Sequence, residues 1–235
     1  MDLILKNPYR IVGILVGSTA REQERQIKRL KKFIAADQNP EDDFSFPALG
    51  DLKRTNSTVD EATSKLNLNI DKVNAALFWF MDGNTITDEP AFNLLHQGEI
   101  TEASTIWDKL VNGKEISSKN ASAFFNLATL YFNSAYKNPS FKEKHLEKGI
   151  QLKLKFLESS FITGFINKSA DETFSISKIN LQLSFLNLLL SQLEKSSIIA
   201  TNKLIDILLK IDFSAKDEFL KSLSLKPIAE IEAKV

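Results

Sequence analysis

Side chains able to carry acid–base, metal or nucleophilic chemistry are sparse in this chain. His96 and His145 are its two imidazoles. Glu143 and Glu147 each lie two residues from His145, a spacing that puts them off its helix face, so no metal motif is read there. There is no Cys. That removes thiolate metal sites, thiol nucleophiles and disulfides together. The eight glycines are all isolated, and neither a Gly-Lys-Ser/Thr triplet nor a Gly-x-Ser-x-Gly elbow occurs. The chain therefore offers no phosphate-cradling loop and no nucleophile elbow. Glu41-Asp42-Asp43 is an acidic run whose spacing fits no calcium loop. Solvated loop charge, or loose pairing with a basic helix, accounts for it. The reading is non-enzymatic, with no catalytic residue, no metal and no cofactor.

One pattern stands out. In Arg21-Glu22-Gln23-Glu24-Arg25-Gln26-Ile27-Lys28-Arg29-Leu30-Lys31-Lys32-Phe33-Ile34, a turn of 100° per residue gathers Arg21, Arg25, Lys28, Arg29 and Lys32 on one face. Ile27, Leu30 and Ile34 take the opposite face. Like charges at this spacing repel, and Glu22 and Glu24 offset them only in the first turn. A cationic stripe on a well-formed helix attracts an acidic surface and speeds the encounter with it. A solvated surface face is the plain alternative.

The 235 residues carry 30 basic and 30 acidic side chains. That neutrality is uneven: residues 1–40 balance at +4, 41–119 at −7 and 120–235 at +3. The acidic middle argues against a general nucleic-acid coat. A hydrophobic fraction of 43% is too high for a disordered chain. The N-terminus has no basic n-region and no long apolar run, so no signal peptide is expected and the cytoplasm is the expected compartment. The most apolar stretch, Ile179 to Leu193, is broken by Asn180, Gln182, Ser184, Asn187, Ser191 and Gln192, so it reads as a buried helix and no membrane association is expected. The chain ends in Pro227 to Val235 without a clear stop signal, which leaves room for further residues.

Period 3.6 dominates, hairpin signals are nearly absent, and the expectation is an all-α protein. A short helix follows Asn7-Pro8, with Asn capping and Pro in the first position. A longer helix runs from about Thr19 to Ala36. Asn39 to Thr58 reads as an irregular stretch with Phe44 and Phe46 turned into the core. Further helices are expected at about 58–66, 70–81, 87–97, 99–111, 120–136, 141–163, 175–194, 198–211 and 215–223. Asp82-Gly83-Asn84 and Asn112-Gly113-Lys114 read as helix ends. Leu77-Phe78-Trp79-Phe80 reads as a seam between two parts of the chain, with an exposed docking patch as the alternative. The tail, including Ile198 and Ile199, reads as core.

Two resemblances add to this. Tyr9-Arg10-Ile11-Val12-Gly13-Ile14, a cap at Ser18 or Thr19 and the basic helix Arg21 to Ile34 resemble the opening of a J-domain, the co-chaperone module of the DnaJ type. The family's His-Pro-Asp signature falls on Ala35-Ala36-Asp37, and its following Asn-Pro on Asn39-Pro40. Only Asp37 of the signature is kept. Asn7-Pro8-Tyr9-Arg10 and Phe78-Trp79-Phe80 are similar to bacterial J-like modules that lack the signature. The resemblance implies that Arg21, Arg25, Lys28, Arg29, Lys32 and Asp37 meet a partner, a seventy-kilodalton heat-shock chaperone or another acidic protein. It also implies that stimulation of the chaperone's ATPase is lost with His and Pro. Downstream, Gly98-Glu99 with Glu102-Ala103, and Phe124, Leu127, Ala128 and Tyr131, resemble tetratricopeptide repeats, which bind proteins. The expected organisation is a degenerate J-like module at 1–82 and an array of antiparallel helical hairpins at 83–235. The function read from it is a protein-binding adaptor or co-chaperone-like protein. Nucleic-acid or anionic-surface binding by the stripe, and a structural subunit of a larger assembly, are the alternatives.

Overall fold

A computed structural model describes residues 2–38, 40, 43–137, 142–196 and 201–232, the side chains of 196, 201 and 225–232 excepted. Asn39, Glu41, Asp42, Phe141, Ile198 and Ile199, which the sequence reading used, lie outside the described residues. The protein is all-α: among the described residues there is no strand, only one parallel bridge between Val16 and Met81. The chain forms two compact units, residues 1–175 and 176–235. The 82/83 junction read from the sequence lies inside the first of them.

The first unit opens with α1 (Asp2–Leu5) and α2 (Pro8–Val12). Asn7 is the hinge between them. Its Oδ1 accepts the Tyr9 N–H at 3.0 Å, and its Nδ2 donates to Leu3 O and Ala75 O at 2.9 Å. Pro8 has no N–H to lose at the first helical position. Gly13 ends α2 at φ +77°, the left-handed region where glycine carries no Cβ penalty. Then come α3 (Ala20–Ala35), a single 3₁₀ turn at Pro47–Leu49, α4 (Asn56–Lys65) and α5 (Asn69–Ala76).

The helix expected over 70–81 stops at Ala76. Phe78, Trp79 and Phe80 are each fully buried, which no single helix face achieves. The backbone instead extends and pairs: Val16 N–H donates to Phe80 O at 2.9 Å and Asp82 N–H to Val16 O at 3.0 Å. Asn126 brackets the next peptide, accepting the Met81 N–H at 2.8 Å and donating to Met81 O at 3.0 Å. The Trp79 indole donates to Ile14 O at 2.8 Å. The aromatic run is therefore core, and the exposed-patch alternative is excluded.

Four more helices follow: α6 (Thr85–Gln97), α7 (Ile100–Val111), α8 (Ala121–Lys137) and α9 (Lys142–Glu158), with α10 (Ile162–Ser169) after them. Asp82-Gly83-Asn84 opens α6 rather than closing a helix, because Asn84 accepts the Ile86 N–H as its cap. Contacts between α8 and α9 step outward from their connection in both directions. They run from Ser134–His145 through Tyr131–Lys148 to Phe125–Lys153, the order of an antiparallel pair. Gly149 permits their close approach, since a Cβ there would sit 2.7 Å from the Phe132 ring. The single helix expected over 141–163 is two. Ser159 Oγ donates to Phe156 O and accepts the Phe161 N–H, a local turn that competes with continued helix.

In the second unit, α11 (Lys178–Ser196), α12 (Thr201–Leu209) and α13 (Lys216–Glu232) bury Leu181, Phe185, Leu189, Leu204, Leu208 and Phe219. Gln182 Oε1, itself buried, accepts the Ala215 N–H at 2.9 Å just ahead of α13. Among the described residues no helix is long and apolar enough to cross a membrane.

Candidate partner-binding face

The cationic helix α3 is fixed at its start. Thr19 Oγ1 accepts the Glu22 N–H at 3.3 Å, and the Glu22 carboxylate accepts the Thr19 N–H at 2.8 Å and its hydroxyl at 2.9 Å. This reciprocal cap stabilises the helix by about 1 kcal/mol. Those bonds from Thr19, the backbone one first, hold the Glu22 carboxyl below its ordinary range. Leu30 is fully buried and Ile27, Phe33 and Ile34 are half-buried. The apolar stripe read from the sequence is thus the one that seats the helix.

The opposite face is the predicted cationic row. Arg21, Arg25, Lys28 and Lys32 are exposed, while Arg29 is half-buried with its guanidinium 5.2 Å from the Phe33 ring centroid. Lys28 pairs with Glu24 one turn back at 2.6 Å, which draws the Glu24 carboxyl below its ordinary value. Lys31, outside the row, pairs with Asp60 of α4 at 2.6 Å. Arg21, Arg25 and Lys32 have no carboxylate within ion-pair distance among the described residues. Eleven helical steps separate the first from the last, a row of about 16 Å. Asp37 is exposed beyond the C-terminal end of α3 at φ +54°, its N–H donating to Ile34 O. It sits past the row rather than within it. Ala35 and Ala36 are exposed beside it.

Arg25 and Arg29 of the row border a pocket of about 380 Å³. Glu22, Arg25, Gln26 and Arg29 form one side; Gly13, Ile14, Leu15, Gly17 and Ser18 form another; Asp43, Phe44 and Asp82 complete it. Gly17, at φ +105°, lies against the Lys168 side chain of α10, which would stand 3.3 Å from a Cβ there. Lys168 Nζ in turn donates to Asp82 O.

Beneath the pocket is a buried charge cluster that sequence reasoning missed. Asp43 Oδ2 meets Arg54 Nη1 at 2.7 Å, with the two side chains 1% and 2% exposed. Asp43 Oδ1 accepts the Ser45 N–H at 3.0 Å, and Gln26 Nε2 reaches Oδ2 at 3.3 Å. Arg54 also donates to Ile11 O and Arg10 O, the open carbonyls at the end of α2. Arg10, fully buried, donates to Leu5 O, Ser45 O and Gly50 O. Burial, with the neighbouring Arg54 second, lowers its pKa to about 10. The two arginines thus tie the segment 43–54 to α2. A Cβ on Gly13 would come 2.5 Å from Asp43 Oδ2, so the glycine is required there twice, by contact and by φ. The Asn7-Pro8-Tyr9-Arg10 motif is architectural: it shapes the floor on which α3 rests.

The remaining ionisable groups do not converge. The His96 ring lies 5.0 Å from that of Phe46 within an aromatic cluster that also holds Phe80, Phe92 and Trp107. His145 Nδ1 is 2.7 Å from Ser134 Oγ, and its pKa is lowered by burial and then by Lys148 and Lys144. Asp88 is buried and accepts from Trp107 Nε1 and Asn84 N, both at 2.8 Å; burial raises its pKa against those bonds. Among the described residues no group of three or more His, Asp or Glu side chains could hold a metal ion. No family model, curated protein or solved structure matches the chain.

Proposed function

We propose that this is a non-enzymatic protein-binding adaptor of co-chaperone-like character whose α3 face meets an acidic partner. The observation that carries the reading is the row of Arg21, Arg25 and Lys32, exposed and without carboxylate partners among the described residues, on a helix locked by its cap and seated by Leu30. Isolated surface ion pairs stabilise a fold little. An ordered row of unpaired cations is better suited to raising association rates and selecting partners by charge. The degenerate J-like frame names a seventy-kilodalton heat-shock chaperone as the first partner to try. The paired helices α6–α7 and α8–α9 would hold a second partner or client, as tetratricopeptide-like units do.

The test is binding of the purified chaperone to the full chain and to the Arg25→Glu/Lys28→Glu variant. The reading expects the variant to lose at least tenfold in affinity at low salt, and expects no ATPase stimulation by either chain. Equal binding by both chains would end the role of the basic face. Clear stimulation would show that Ala35 and Ala36 do not abolish the activity.

A further inference from the structure

We infer that the pocket beside Arg25 is the acceptor for one glutamate side chain of the acidic partner, a proposal that rests on the reading above. Arg25 lines the pocket and has no carboxylate within ion-pair distance among the described residues. Its planar guanidinium suits two parallel bonds to a carboxylate. Two of the pocket's own carboxylates are already engaged, Glu22 by Thr19 and Asp43 by Arg54, Ser45 and Gln26. Asp82 is the third; Lys168 Nζ donates to its backbone carbonyl, not to its carboxylate. The N–H groups of Leu15 and Gly17, both lining residues, have no acceptor among the described residues.

The same walls select the ligand class. Any anion in the pocket meets Glu22, Asp43 and Asp82, and a phosphate, with nearly two charges at neutral pH, is repelled more than a carboxylate with one. A carboxylate carries one, spread over two oxygens that a guanidinium matches. Ile14, Leu15 and Phe44 give the pocket apolar surface. The two methylenes of glutamate would cover such surface. Aspartate has one methylene and reaches less far. The chemistry recognised is therefore a short aliphatic stem ending in a monoanion, presented from a segment whose other acidic residues lie along Arg21 and Lys32.

The experiment is a titration of the ¹⁵N-labelled full chain with end-blocked hexaglutamate, followed by amide chemical shifts, with hexaglutamine as the control. Saturable shifts at Gly13, Leu15, Gly17 and Ser18 are expected with hexaglutamate only. Arg25→Gln should weaken binding at least fivefold, against no more than twofold for Arg21→Gln. Ser18→Leu changes no charge and fills the pocket; it should weaken binding at least fivefold as well, and inorganic phosphate should leave the four amides in place. Shifts confined to the outer face of α3, with Arg21→Gln and Arg25→Gln equivalent and Ser18→Leu silent, would overturn the pocket while leaving the basic face standing. No shift anywhere would overturn both.

Discussion

Replacing Asp43 by alanine is the sharpest probe of how this site is held together. The carboxylate is 1% exposed, as its partner Arg54 is at 2%, and the pair closes to 2.7 Å. Removing one member of a buried pair strands the other charge, at a cost of about 3–5 kcal/mol. Here the loss is compounded, because Asp43 also accepts the Ser45 N–H and a bond from Gln26 of α3. A domain's whole stability is about 5–15 kcal/mol, so this one side chain holds a large share of it. At about 2–4 °C per kcal/mol for a chain of this size, the melting temperature should fall by roughly 6–20 °C. Both tryptophans, Trp79 and Trp107, lie in the first unit. Their fluorescence in a urea titration therefore reports the unit that contains Asp43. The double variant Asp43→Leu/Arg54→Met removes both charges and should be less destabilised than the sum of its single changes, the signature of direct coupling. An Asp43→Ala protein within about 1 kcal/mol of the parent, or single effects that simply add, would refute the clamp.

Three further outcomes follow from the same reasoning. Lys153 is fully buried, its Nζ 3.2 Å from Phe125 O and 3.1 Å from that ring's centroid, with no carboxylate partner among the described residues. Burial drives its pKa well down. The unfolded chain, titrating near 10.4, then binds more protons than the folded one between the lowered value and that figure, so stability rises with pH across the window. Lys153→Met should stabilise at pH 7, by about 1–4 kcal/mol if it gains what buried ion pairs gain on replacement by apolar residues of similar volume. That gain should shrink as pH approaches 10; urea midpoints at pH 7 and 9.5 check it, and a loss at both would contradict it. Gly149→Ala should cost about 1–3 kcal/mol by forcing Phe132 from its place between α8 and α9, readable as a lower melting temperature. Arg25→Glu/Lys28→Glu, by contrast, should leave the unfolding free energy measured by urea titration within about 0.5 kcal/mol of the parent, as exposed substitutions do.

The helical elements were legible because their signals are local. Asn7-Pro8, a cap at Ser18 or Thr19, which the structure resolves as Thr19 with Glu22, and the apolar spacing of Ile27, Leu30 and Ile34 each act within one or two turns. The cationic row was legible for the same reason, since helical phase alone places it. What stayed hidden depends on partners far along the chain. Leu77 to Met81 continues a helical pattern in sequence, yet Val16 and Asn126, 65 and 45 residues from Met81, draw it into an extended turn. Asp43 read as the end of a solvated acidic run, because nothing nearby announces that Arg54 and Gln26 converge on it. The pocket was illegible too: Gly13 and Gly17 look like ordinary loop glycines until their positive φ values and neighbours are known.

Asn126 has a consequence for how the protein could be divided. Its amide occupies both polar groups of Met81, as the next strand of a sheet would. The extended segment that carries Met81 is thus completed by a side chain from α8, 45 residues downstream. A fragment cut after residue 82 would carry away the cationic helix but leave a buried peptide edge exposed, beside aromatic surface that α6, α7 and α8 now cover. Such an edge recruits whatever donor and acceptor it meets, including a second copy of itself. The order of the segment next to the cationic helix therefore depends on a helix that follows it by 45 residues, and cutting between them would cost the first its footing.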